Sequence, residues 1–155
     1  MNRKILTLLI VLIAAVSIAS VCAAELTKEN DFDGKFKMNS TDNSTFEKVT
    51  DGIGLSAFLS NQSWSDNKTA LVCYYEKDIN NVLSELKSNS GFINDPKTEG
   101  NLTILEYPNY GEGDTQAYAF HYFVGVSSPQ NKTVFVASND LNAAKEYANT
   151  IEFEK

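Results

Sequence analysis

Apolar and polar residues alternate in several stretches of the chain, a period-2 pattern that predicts half-buried β-strands. These strands are predicted at residues 35–39, 53–60, 69–76, 101–107, 116–127 and 132–138. The second and third are expected to form a hairpin across a long polar loop. The more apolar face of the second is expected to carry Ile53, Leu55, Ala57 and Leu59. One face of the 116–127 strand is expected to carry Tyr118, Phe120, Tyr122, Val124 and Val126.

Two other stretches have the spacing of amphipathic helices, and Asp78 and Asp140 can cap them through their side chains. The stripe of the first helix comprises Ile79, Val82, Leu83 and Leu86. The stripe of the second comprises Leu141, Ala144, Ala148 and Ile151. The order β-β-β-α-β-β-β-α predicts an α+β fold. We expect a mainly antiparallel sheet of about six strands, covered on one face by two helices.

The first 24 residues have the three-part pattern of a secretory signal peptide. Arg3 and Lys4 supply the positive charge, and a weakly polar or apolar run extends from Ile5 to Ala19. The small residues Cys22 and Ala24 stand at positions −3 and −1 of a cut before Glu25. We therefore expect export, cleavage after residue 24 and a secreted or cell-surface location.

Two alternatives to cleavage remain open. Residues 5–24 number 20, which is about enough to cross a bilayer as an uncut anchor. A lipid-modified Cys22 is the other alternative. Ala19 and Val21 fit it poorly, because a bacterial lipobox has a large aliphatic residue three positions before the cysteine and a small one just before it. With cleavage, the protein contacts a membrane only during export.

Residues 25–155 then form a single globular domain, with residues 25–34 expected to be flexible. The chain has a formal charge of −7, which becomes −9 once Arg3 and Lys4 are removed. Arg3 is the sole arginine of the chain. An acidic domain without arginine is poorly suited to bind nucleic acid, because phosphate contacts need cations.

An exported chain is also exposed to glycosylation, and Asn-x-Ser/Thr triplets mark the candidate acceptors. They begin at Asn39, Asn43, Asn61, Asn67, Asn101 and Asn131. With Cys22 removed, Cys73 is the one cysteine left, so an internal disulfide is excluded.

The closing stretch Lys132–Phe153 resembles the C-terminal unit of small secreted proteins of unknown function from methanogenic archaea. The segment Phe36–Asn39 resembles the opening strand of the same proteins. More distantly, a late strand pair followed by a helix ending in Ile151-Glu152-Phe153 is similar to Mog1/PsbP-like domains. The resemblance implies a Mog1/PsbP-like sandwich and a binding or assembly role, and it supplies no catalytic residues.

Few residues have the pattern of catalytic or metal chemistry. His121 is the one histidine, so sites built from several histidines are excluded. A Cys73–His121 dyad is conceivable, although a mid-strand cysteine is usually a small buried apolar residue. Asp31-Phe32-Asp33-Gly34 is similar to the start of a calcium loop but lacks the remaining acids. We expect no metal and no cofactor.

Aromatic residues are the strongest hint of a binding surface, because a tyrosine ring packs while its hydroxyl stays in water. The candidate surface comprises Trp64, Tyr110, Tyr118 and Tyr122. We expect a non-enzymatic module that binds an extracellular protein or a glycan. One alternative is an extracytoplasmic hydrolase using carboxylates such as Glu76, Asp78, Glu106 or Asp114. Another is a structural subunit of a cell-envelope assembly with an exposed strand edge.

Overall fold

The computed structural model describes residues 25–61, 70–90, 95–106 and 120–155. This part of the chain contains ten strands and two helices, and every strand pairing in it is antiparallel. The elements are β1 (Lys28–Phe32), β2 (Phe36–Ser40), β3 (Phe46–Gly52), β4 (Leu55–Ser60), β5 (Ala70–Tyr75), α1 (Ile79–Ser90), β6 (Lys97–Glu99), β7 (Leu102–Glu106), β8 (Tyr122–Ser127), β9 (Thr133–Ser138), α2 (Leu141–Ala148) and β10 (Glu152–Phe153). The predicted α+β class with two helices is confirmed, although the strands outnumber the six expected.

Seven strands form the larger sheet in the order β3-β4-β5-β9-β8-β7-β6. The predicted β4–β5 hairpin is confirmed, with Leu55 opposite Tyr75. One end of the sheet is marked by the cross-strand row Ala70, Ser138, Tyr122 and Glu106. The other end is marked by the row Tyr75, Thr133 and Ser127. We call these the Glu106 end and the Tyr75 end.

Three strands form the smaller sheet in the order β1-β2-β10. Residues 28–32 lie in the segment expected to be flexible, but they form β1 along the whole length of β2. Phe32 ends β1 and stacks on Phe36, with ring centroids 4.5 Å apart. The stacked rings anchor β1, whose mostly polar sequence, KENDF, does not by itself predict a strand.

The core on one face of the larger sheet is closed by the smaller sheet and α2. Ala144 and Ala148 of α2 are buried there, and Leu141 and Ile151 pack against the same cluster, as the helical stripe predicted. Phe153 also folds back onto this core. Val134 and Val136 of β9 belong to this cluster as well.

The opposite face is covered by α1, so the larger sheet is covered on both faces rather than on one. Phe135, between the two valines of β9, belongs to a second cluster with Val82 of α1. Because successive side chains of a strand point to opposite faces, α1 and α2 lie on opposite sides of the sheet.

The predicted apolar face of residues 53–60 is observed only in part, because Leu55, Ala57 and Leu59 share one face of β4 and Ala57 is buried, but Ile53 does not belong to the strand. Ile53 lies in the turn between β3 and β4 and is fully exposed, next to Gly54, whose φ is +75°. Phe58 points instead into the main core, with Ser56 and Ser60 also buried on β4. The positive φ at Gly54 makes a tight turn possible, and the turn removes Ile53 from the strand.

Candidate functional site

Of the four aromatic residues proposed as a binding surface, only Tyr122 belongs to the described residues; Trp64, Tyr110 and Tyr118 lie outside them. Tyr122 begins β8 and is half-buried. Its partner in the register with β7 is Glu106. Side chains at directly opposite positions share one face of a sheet, so Tyr122 and Glu106 are neighbours at the Glu106 end.

His121 lies just before β8, and its side chain contacts both Glu106 and Tyr122. Its Nε2 atom lies 3.3 Å from Oε1 of Glu106. Its ring meets the ring of Tyr122 edge-on, with centroids 4.4 Å apart. The backbone N–H of His121 donates to Oδ1 of Asn139 at 3.0 Å. These contacts from three sides fix the position of the imidazole beside the carboxylate.

A cleft of about 340 Å³ opens beside this pair, lined by Asp95, Lys97, Ile104 and Glu106. Ile104 is 5% exposed and supplies an apolar wall. Lys97 stands directly opposite Ile104 in the β6–β7 ladder. Its Nζ atom lies 3.9 Å from Oε2 of Glu106, so the two oxygens of Glu106 face different partners.

Each carboxylate that lines the described part of the cleft has a lysine partner. Nζ of Lys87, on α1, lies 3.0 Å from Oδ1 of Asp95. Asp95 is thus paired with Lys87, which does not line the cleft, and Glu106 with Lys97, which does. The His121 side chain is 25% exposed. The described lining of the cleft combines a donor, Lys97, two acceptors, Asp95 and Glu106, and one apolar wall, Ile104.

The structure does not bring Cys73 and His121 together. Cys73 pairs with Phe135, which pairs with Gly125, so the cysteine is level with Gly125 and two strands away from it. His121 precedes Gly125 by four residues, which adds about 13 Å along the strand. Burial raises the pKa of the Cys73 thiol to about 12. The thiol is therefore neither near a base nor activated.

The carboxylates proposed for a hydrolase do not form a pair either. Glu76 and Asp78 follow β5 at the Tyr75 end, about 17 Å along the strands from Glu106. Asp78 caps α1 by accepting from the backbone N–H groups of Asn80 and Asn81. Asp114 lies outside the described residues.

Asp95 and Glu106 line one cleft, but Asp95 does not have the surroundings of a general acid. A general acid in a two-carboxylate mechanism is held in a water-poor pocket. The side chain of Asp95 is 92% exposed and paired with Lys87. The two described carboxylates of the cleft therefore do not resemble a working catalytic pair.

The acidic loop at residues 31–34 is a structural turn. Oδ1 of Asp31 accepts from the backbone N–H of Gly34 at 2.7 Å. Asp33 pairs with Lys48 of β3 at 2.5 Å. Within the described residues no three His, Cys, Asp or Glu side chains are placed to share a metal ion. No helix in this same part of the chain is long and apolar enough to cross a membrane.

Sequence reasoning missed Asp95 and Lys97 as members of the cleft. Asp95 precedes Pro96, a pair typical of a turn, and Lys97 lies in the three-residue strand β6. Neither residue belongs to a recognisable motif. The position of β6 against β7 brings them beside Glu106, so the signal is tertiary rather than local.

No family model, no curated protein and no solved structure matches this chain.

Proposed function

We propose that this protein is an extracytoplasmic, non-enzymatic binding module that takes a neutral polar ligand, a glycan segment, in the cleft beside Glu106. The observation that carries the proposal is the cleft itself, with the His121–Glu106 pair at its side and Tyr122 adjacent. In the cleft Ile104 offers an apolar wall, and Glu106 offers acceptor oxygens. Sugars present both an apolar ring face and hydroxyl donors.

The pairing of both carboxylates with lysines favours a neutral ligand over a charged one. An anion brought to Lys97 also approaches Glu106 and Asp95, and a cation brought to Glu106 also approaches Lys97. A charged ligand therefore meets both attraction and repulsion, and it competes with ion pairs that are already formed. A neutral ligand instead gains from hydrogen bonds to charged groups, which are stronger than those between neutral groups.

The extracytoplasmic location rests on the N-terminal sequence. The positive charge, the apolar run and the small residues before Glu25 favour export and cleavage. Intact-mass and N-terminal measurement of the protein from its native host tests this part of the proposal. A chain that starts at Glu25 supports it, and a chain that starts at Met1 in the membrane fraction contradicts cleavage.

Amide chemical-shift mapping tests the ligand. The probes are neutral mono- and disaccharides, compared with their uronic-acid counterparts of the same size and with neutral peptides. The proposal expects shifts at residues 95–106 and 121–122 with the neutral sugars and smaller shifts with the acids. Shifts with the peptides alone would make the ligand a protein segment, and the glycan assignment would then be wrong.

A second function is favoured by the edge strand β3. Six of its seven residues are exposed, and the exposed Val49 lies at a register shift between Lys48 and Thr50. Such an edge could pair with another chain in a cell-envelope assembly. Bulges and charged residues usually block edge pairing, which is why we rank this function second. Concentration-dependent oligomers that Val49→Lys abolishes would favour it.

A further inference from the structure

We propose that Asn43 and Asn101 are the acceptor sites for N-linked glycans, chosen by the fold from the Asn-x-Ser/Thr triplets in the chain. An acceptor asparagine must be exposed. The oligosaccharyltransferase, the enzyme that attaches the glycan, must also reach the hydroxyl of the serine or threonine two residues later. These two conditions separate the triplets of the described residues into two groups. The inference depends on the proposed extracytoplasmic location for its use in cells.

Asn43 meets both conditions. It is exposed in the turn between β2 and β3, where the backbone N–H of Ser44 donates to the oxygen of Thr41 at 3.0 Å. Thr45, which supplies the hydroxyl, is exposed as well. The turn is tied to the end of β4 by the backbone N–H of Thr45, which donates to Oδ1 of Asn61 at 2.9 Å, so it opens when this end of the edge pairing frays and the rest of the sheet stays intact.

Asn101 meets them at the other edge of the sheet. It is exposed in the two-residue turn between β6 and β7, after Gly100, whose φ is +60°. Thr103, two residues later, is partly exposed and pairs with Thr98 of β6. Thr103 lies on β7, between β6 and β8, so its hydroxyl is reached when the three-residue edge strand β6 moves aside while Thr103 keeps its pairing with Gly125 of β8.

Asn39 and Asn131 fail the conditions. Asn39 is half-buried on β2, the central strand of the smaller sheet. Asn131 is exposed, but its triplet ends at Thr133, which is fully buried and donates to the backbone oxygen of Lys77 at 2.8 Å. Reaching the Asn39 triplet requires β2 to leave the smaller sheet, and reaching the Asn131 triplet requires the fully buried Thr133 to leave the core. The triplets of Asn61 and Asn67 extend into residues 62–69, outside the described part.

The modification is a glycosyl transfer from a lipid-diphosphate-linked oligosaccharide. The bond between the anomeric carbon and the phosphate oxygen breaks, and a bond from that carbon to Nδ2 of asparagine forms. The lipid diphosphate leaves with the electron pair, and the amide nitrogen loses one proton. No oxidant or reductant is needed.

Both sites leave the cleft open. Asn101 lies at the opposite end of β7 from Glu106, about 17 Å along the strand. Asn43 lies beside β3, which is five strand spacings or about 24 Å from β7. Glycans at these positions would cover two edges of the sheet and spare the proposed ligand site.

The test incubates the purified, folded full-length chain with a single-subunit oligosaccharyltransferase and a lipid-linked oligosaccharide, followed by glycopeptide mapping. We expect glycan on Asn43 and Asn101 and none on Asn39 or Asn131. Thr45→Ala removes modification at Asn43 alone, whereas the matched variant Thr45→Ser keeps it.

Two results would overturn the inference: Asn43 and Asn101 bare while the denatured chain is modified there, or Asn39 and Asn131 occupied to the same extent in the folded chain. Glu106→Gln should be modified like the wild type. The mass readout does not involve the cleft, so a failure of glycosylation and a failure of ligand binding are distinguishable.

Discussion

The ring of Phe135 fills the space above Gly125 in which any other residue would place its side chain. A Cβ atom on Gly125 would lie 2.5 Å from Cε1 and 2.8 Å from Cζ of Phe135. The two residues are cross-strand partners on β8 and β9, and Phe135 belongs to the cluster beneath α1. The absence of a side chain at Gly125 therefore makes room for the aromatic residue that anchors α1.

Gly125→Ala is expected to lower the free energy of unfolding by about 1–3 kcal/mol, the usual cost of overpacking a core. Urea unfolding followed by circular dichroism measures it as a lower midpoint with an unchanged m-value. Gly52→Ala is the matched control, because its nearest neighbour would be the backbone oxygen of Leu55 at 3.9 Å. We expect this control to stay within about 0.5 kcal/mol of the wild type.

A double-mutant cycle separates the clash from a general preference for glycine. Phe135→Leu shortens the ring side chain that the new Cβ would meet. The cost of Gly125→Ala should be smaller in the Phe135→Leu background than in the wild type. An equal cost in both backgrounds would contradict the steric explanation.

The thiol of Cys73 is expected to be unreactive while the protein is folded. Burial raises its pKa from 9.0 to about 12, so the nucleophilic thiolate is scarce at neutral and mildly alkaline pH. Alkylation by iodoacetamide should be slow in buffer and fast in denaturant. Equal rates in the two conditions would show that the thiol is not desolvated.

The same shift makes stability depend on alkaline pH. Because the pKa of Cys73 is higher in the folded state, its contribution to stability is fully present below pH 9 and is lost as the pH rises towards about 12. The free energy of unfolding of Cys73→Ala should therefore fall less steeply over this window than that of the wild type. If the free energies of unfolding of the two proteins fall in parallel at alkaline pH, the pKa of Cys73 is not raised in the folded state.

Asp51 is expected to affect the acid side of the stability profile. A hydrogen bond from Lys48, with a second from Ser56, lowers the pKa of Asp51 below 3.8. The stability that this provides is present above that value and is lost as the pH falls through the folded-state pKa. In Asp51→Asn the free energy of unfolding, measured with urea at decreasing pH, should therefore fall less steeply on the acid side than in the wild type.

Glu47→Gln on the same strand is the charge-matched control for Asp51→Asn, because Glu47 does not take part in the Lys48–Asp51–Ser56 contacts. It should keep the wild-type acid limb. If both variants flatten the limb equally, net charge rather than the Asp51 contacts governs acid stability.

The sequence predicts the elements that have a strong repeating pattern. The stripes of α1 and α2, and the paired strands β4 and β5, follow directly from apolar spacing. Apolar spacing does not predict the strands that are short or largely exposed, which are β1, β3, β6 and β10. Their pairing partners, rather than their own periodicity, determine them.

The candidate site shows the same limit. Glu106 and Tyr122 were each noticed from the sequence, but for different functions. Their adjacency depends on the register between β7 and β8, and that register is set by the whole sheet. Glu76, chosen with Glu106 as a hydrolase carboxylate, lies at the other end of the same sheet. Residue type therefore suggested the candidates, and only the fold shows which of them meet.

The most direct test of the proposed function compares saccharide affinity among the wild type, Glu106→Gln and Glu76→Gln by titration of amide chemical shifts. Glu106→Gln keeps the shape of the side chain but loses the charge that strengthens its hydrogen bonds, so we expect affinity to fall about tenfold or more. Glu76→Gln removes the same charge at the Tyr75 end and should bind like the wild type. Equal affinities for all three proteins would contradict binding at the Glu106 cleft.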